Sequence, residues 1–110
     1  MADFDNERSR LLSQIEDLKS QIKEIQGDGR LDEAKQENEL LREQLKLRQR
    51  LIDLEVERFK ELKKSGVIDQ QAFDQSIEAA RNQEASYAKQ QAAIDKRSRS
   101  IGREAKSLET

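Results

Sequence analysis

Cysteine, histidine, proline and tryptophan are all absent from this chain of 110 residues, and aromatic residues make up only 4% of it. The first two absences exclude particular chemistry. Without Cys there is no disulfide and no thiolate metal site. Without His there is no imidazole ligand, and neither a Ser–His nor a Cys–His nucleophile system can be assembled. Long apolar runs are missing too: nothing approaches the roughly 18 residues of a membrane-spanning helix. No Gly-rich phosphate loop is present. The stretch "GDGR" has some letters of a calcium loop but lacks its alternating ligands. Carboxylates are plentiful, yet nothing points to a cleft that would tune them. The expectation is no enzyme, no cofactor and no metal.

An excess of one charge is also missing. Lys and Arg number 21 against 23 Asp and Glu, a net charge of −2, so a nucleic-acid partner is not expected. Arg97, Arg99 and Arg103 cluster locally and read as a solvated helix face.

What is present is charge and periodicity. Charged residues are 40% and hydrophobic residues 34%. That is little apolar material for a compact core, but apolar positions recur with helical spacing, which a disordered chain would not show. The pattern breaks at "GDGR" (27–30) and at "SGVID" (65–69). It therefore predicts a single helical domain: an N-terminal helix over 1–26, a turn at 27–30, an ascending helix over 31–64, a tip turn at 65–69 and a descending helix over 70–110. The expected fold class is all-α, a long antiparallel coiled-coil hairpin with an additional N-terminal helix.

The first segment carries Phe4, Leu11, Ile15, Leu18, Ile22 and Ile25 in a 4-3 spacing, with Arg8 in the gap. The second carries two stripes. Leu31, Ala34, Leu41, Leu45, Ile52, Phe59 and Leu62 form one, with Asn38, Arg48 and Glu55 in the same frame. Leu40, Leu47, Leu51 and Leu54 form the other. The third segment keeps the frame through Phe73, Ile77, Ala80, Tyr87, Ile94, Ile101, Ala105 and Leu108, with Glu84, Gln91 and Ser98 diluting it. Pairing the first stripe with the third segment opposes Leu62 to Phe73, Asn38 to Ser98 and Arg48 to Tyr87, where a guanidinium–ring stack is expected. The hairpin would be about 50 Å long. The second stripe is expected to take the N-terminal helix folded back, with Leu18 near Leu40, Leu11 near Leu47 and Phe4 near Leu54. The second stripe ends at Leu54, where the N-terminal helix runs out, so a two-helix tip would project from a three-helix base. The rival is an N-terminal helix continuing in line and pairing with another chain.

The tip turn holds nearly a full set of helix-end devices. Gly66 suits the left-handed position after a helix, with Val67 next and Leu62 as its hydrophobic partner. Lys60, Lys63 and Lys64 complement the helix dipole. Asp69 can cap the next helix, and Ile68 and Phe73 have the spacing of a hydrophobic staple.

With those residues in view, "RFKELKKSGVIDQQAFDQSIEAARNQEASYAKQQAAI" (58–94) resembles the hairpin tip of HlyD-like membrane-fusion proteins, the periplasmic adaptors of tripartite efflux pumps and type I secretion systems. Arg58 and Leu62 match the family's tip positions, as do "GVI" and the Phe73-Asp74 pair. Ala79, Ala80, Ala85, Ala88, Ala92 and Ala93 resemble its Ala-rich descending helix. Asp69 departs from the Ser or Thr of the family, but it can cap equally well. The resemblance implies a tip that docks on a TolC-type outer-membrane channel through Arg58, Leu62, Gly66, Val67 and Asp69. It implies self-association of hairpins, and an inner-membrane transporter reached through domains outside this chain. It also implies a bacterial periplasmic location, as part of a protein anchored in the inner membrane. The lipoyl and β-barrel domains that flank such hairpins are not in these residues, so the chain is expected to be a hairpin domain of something longer. Two alternatives stay open: a generic coiled-coil scaffold or tether, which could be cytoplasmic, and a short bacterial C-terminal two-helix module of the pattern "L-x-x-L-x-x-x-G-x-I-(Thr/Asp)-x-x-x-Phe", fitted by residues 59–79.

Overall fold

The computed structural model describes residues 2–25 and 31–109. They form three helices: α1 (Ala2–Glu24), α2 (Leu31–Lys64) and α3 (Gln70–Glu109). The "GDGR" turn lies outside the described residues, as does the side chain of Leu108. Helix-forming residues fill all three elements. Acids open two of them, Asp3 and Asp5 in α1, Asp32 and Glu33 in α2. Bases close all three, with Lys23, Lys63 and Lys64, and Lys106 in their last turns. Those five ends complement the helix dipole.

Helices α2 and α3 run antiparallel, as their cross-pairs show. At one end Lys63 Nζ lies 4.6 Å from the centroid of the Phe73 ring. At the other, Arg42 meets Asp95 at 3.0 Å and Arg97 meets Glu37 at 3.1 Å. Between them Leu45, Ile52, Ala80 and Ile94 are buried. Asn38 sits in the same seam, 4% exposed, and its Nδ2 donates to the Ile94 carbonyl oxygen at 3.1 Å. A helical carbonyl points along the axis toward the amide four residues on. Asn38 therefore lies between Ile94 and Ser98, in keeping with the expected facing of Asn38 and Ser98. The Oδ1 of Asn38 and the Nε of Arg42 are buried without a hydrogen-bond partner.

The other side of α2 takes α1, also antiparallel. Leu11, Ile15 and Leu18 are buried, and Gln44, 6% exposed, donates from Nε2 to the Ile15 carbonyl at 3.3 Å. Farther up, Arg8 reaches Glu55 at 3.6 Å and Arg58 lies over the Phe4 ring. The N-terminal helix thus folds back, and it does not run in line with α2.

Helix α2 is the hub: among the described residues α1 and α3 both pack on it and their backbones do not approach each other closely. Residue spacing explains this. Asn38 and Gln44 mark its two partner faces, and six residues at about 100° each put those faces roughly 120° apart. A closed triangle of helices would need about half that angle. The result is a rod with principal extents of 64 × 24 × 16 Å. Its radius of gyration is 18.2 Å, against about 13 Å for a compact chain of this length. It exposes 8198 Å², where a compact monomer of its mass would expose roughly 6,300 Å².

One expected contact does not form. Among the described residues the cation–ring contacts are Arg58 with Phe4 and Lys63 with Phe73, and no Arg48–Tyr87 stack is made. Arg48 is three residues from Leu45, hence about 60° around the helix from it. That places Arg48 on the side of α2 between its two partners and off the line facing Tyr87.

Candidate functional site: the hairpin tip

The tip is built from backbone hydrogen bonds that its sequence makes possible. Helix α2 ends in a Schellman arrangement. Val67 N–H donates to the Leu62 carbonyl at 2.9 Å, and Gly66 N–H to the Lys63 carbonyl at 3.1 Å. Ile68 N–H and the Ser65 hydroxyl also donate to the Leu62 carbonyl, at 3.4 and 3.2 Å. The geometry requires a left-handed residue, and Gly66 supplies it with φ of 79°. Asp69 then caps α3: its Oδ1 accepts from Ala72 N–H at 2.8 Å, and its carbonyl accepts from Phe73 N–H at 3.0 Å. Ile68 and Phe73, the staple pair, are both half-buried.

Of the five expected tip residues, Leu62, Gly66, Val67 and Asp69 are gathered in this turn. Their exposures divide them. Leu62 is half-buried, Gly66 and Asp69 are exposed, and Val67 is 66% exposed. The expected partnership of Val67 with Leu62 is seen in the backbone bond between them. The valine side chain stands in solvent at the apex. Among the described residues only Leu12, at 37%, joins it as an exposed large hydrophobic.

Arg58 is set apart. Its side chain is 18% exposed, its guanidinium carbon lies 5.4 Å from the centroid of the Phe4 ring, and Nη1 is 3.8 Å from Glu61. Glu55, three residues before Arg58, pairs with Arg8 at 3.6 Å. Phe4 was expected one turn lower, near Leu54. Helical side chains lean toward the N-terminus, so Arg58 covers the turn below its own backbone and meets the ring there. Sequence reading missed this role of Phe4, and the register that nearly aligned Phe4 with Leu54 was the signal for it. Lys63, placed only as a charge near the helix end, also lies over Phe73 and closes the staple from outside.

The grooves elsewhere are open. One, about 720 Å³, runs between α1 and α2 past Leu18, Leu47, Lys46 and Arg50. A smaller one, about 270 Å³, lies just below the tip between Val56, Lys60, Phe73 and Ile77. Among the described residues no group of three or more acidic side chains is placed to hold a metal ion, and no helix is long and apolar enough to cross a membrane. No protein-family model, curated protein or solved structure matches the chain.

Proposed function

We propose that this protein is a non-enzymatic helical adaptor whose tip docks on a TolC-type outer-membrane channel. In this reading it works in the bacterial periplasm and links the channel to an inner-membrane transporter through domains outside this chain, for protein secretion or efflux. The observation that carries the proposal is Val67, a β-branched apolar side chain held 66% exposed at the end of a 64 Å rod by a turn whose backbone bonds are made. A side chain held on a rigid turn can seat in a partner's pocket with little ordering cost. The tip motif from Arg58 to Asp74 supplies the identity of the partner. The thin core and large exposed surface suit a module that packs beside further copies of itself.

The test is binding of the chain, tethered as a hexamer, to a purified TolC-type channel. Wild type is expected to bind, with Arg58→Asp weaker by about tenfold or more. No binding by the wild-type hexamer would contradict the proposal. The enclosure of Arg58 by Phe4 and Glu61 favours a second reading, a helical scaffold or tether that uses no tip residue. A scaffold would tolerate any substitution at Val67 without loss of its partner.

A further inference from the structure

We infer that a groove at the base of the hairpin, beside Asn38 and Gly102, seats a neutral carboxamide: the side chain of an Asn or Gln on a partner helix. The site lies about 40 Å down the hairpin from the tip and does not depend on the channel reading.

Two features of this groove have no use inside the chain. The first is a pair of polar atoms. Asn38 is 4% exposed and its Nδ2 is engaged by the Ile94 carbonyl, which leaves Oδ1 buried with no partner. Arg42, one turn on, is held through Nη2 by Asp95 at 3.0 Å, and its Nε is likewise buried without a partner. Buried polar atoms are nearly always bonded, and leaving one unmet costs stability. The second feature is Gly102. It lies in the interior of α3, where glycine weakens a helix. Its φ is not in the left-handed region, and a Cβ there would meet nothing within 4 Å. No contact within the chain calls for a glycine at this position.

Both features fall in one groove of about 300 Å³, lined by Lys35, Asn38 and Arg42 from α2 and by Ser98, Gly102 and Ala105 from α3. The three small residues of α3 span about 10 Å, and the missing Cβ at their centre lets the backbone of a further helix come close. The two unmet atoms define what that helix carries. Oδ1 only accepts and Nε only donates, so the fitting group has both a donor and an acceptor. The charges nearby balance: Lys35 and Arg42 lie with Glu39, which also lines the groove, and with Asp95, the partner of Arg42. An anion would set its oxygens against Oδ1, and a cation would meet Arg42. A carboxamide suits both atoms, its NH2 donating to Asn38 Oδ1 and its oxygen accepting from Arg42 Nε.

The test exploits the absence of cysteine from the chain. Lys35→Cys in the full chain places a single thiol at the edge of the groove. It is equilibrated under thiol exchange with disulfides of matched length ending in a carboxamide, a carboxylate or an ammonium, and the adducts are measured by mass spectrometry. Tethering raises the local concentration enough for a weak contact to register. The carboxamide is expected to be captured roughly fivefold over either charged analogue. Gly102→Leu, which fills the groove, and Arg42→Met, which removes the donor, should each reduce that preference. Equal capture of the three, as in a groove that holds only water, overturns the inference, and so does a preference unreduced in either variant. A second panel uses thiol-linked Ala-rich peptides of about 18 residues, long enough to be helical, with Gln, Glu or Leu at the centre. Preference for the Gln peptide, lost in Gly102→Leu, supports the partner helix. Capture of the small carboxamide with no preference among the peptides overturns the helix in favour of a free amide ligand. Loss of self-association on Gly102→Leu, read by sedimentation, would make the occupant a second copy and overturn a foreign helix.

Discussion

Asn38 donates from Nδ2 to the Ile94 carbonyl at 3.1 Å, across a seam in which it is only 4% exposed. A buried amide in an otherwise apolar seam costs stability and fixes alignment, since sliding α3 by one turn would strand the donor. Its Oδ1 is buried without a partner, which adds to the cost. Asn38→Leu is therefore expected to raise stability by about 1 kcal/mol while loosening register. Chemical denaturation measures the first effect. The second is read by sedimentation and by distances between labels on α2 and α3, which should broaden.

The two described glycines give opposite outcomes for the same substitution. A Cβ added at either would meet nothing within 4 Å, so sterics with neighbours do not enter. Gly66 has φ of 79°, where an alanine is strained. Gly66→Ala should cost roughly 1–2 kcal/mol. Gly102 lies inside α3, and Gly102→Ala should add roughly 0.5–1 kcal/mol. Thermal melts of the pair check both signs.

Asp69 stands where the resembling family has Ser or Thr, and the cap is made: Oδ1 accepts from Ala72 N–H at 2.8 Å. Asp69→Ala should destabilise by about 1 kcal/mol, and Asp69→Ser should cost much less, because a hydroxyl can take the same bond. If Asp69→Ser instead changed channel binding with stability unaltered, the carboxylate itself would be a contact.

Much of the tip was legible in the sequence because its determinants are local. Gly66, the Leu62 carbonyl and Asp69 act within a few residues of one another, and capping rules reach that far. The fold-back of α1 was legible from a second apolar stripe on α2 that α3 could not cover. The surroundings of Arg58 were not, because they depend on Phe4, distant in the chain, and on the lean of both side chains. Nor could spacing choose which charges cross the seam: Arg42 with Asp95 and Arg97 with Glu37 form, while Arg48, expected over Tyr87, does not. The 4-3 frame treats Arg48 as a seam position, but its true azimuth lies between the two partner faces. Val67 shows the same limit, since the Schellman rule sets its backbone and leaves its side chain free.

The most direct test of the account places a photo-crosslinking residue at Val67 in the tethered hexamer and exposes it to a TolC-type channel, with the same residue at the exposed mid-shaft position Lys89 as control. The account predicts crosslinks from position 67 to the periplasmic end of the channel and few from position 89. Absence of channel crosslinks at position 67, or equal yields at the two positions, would contradict it.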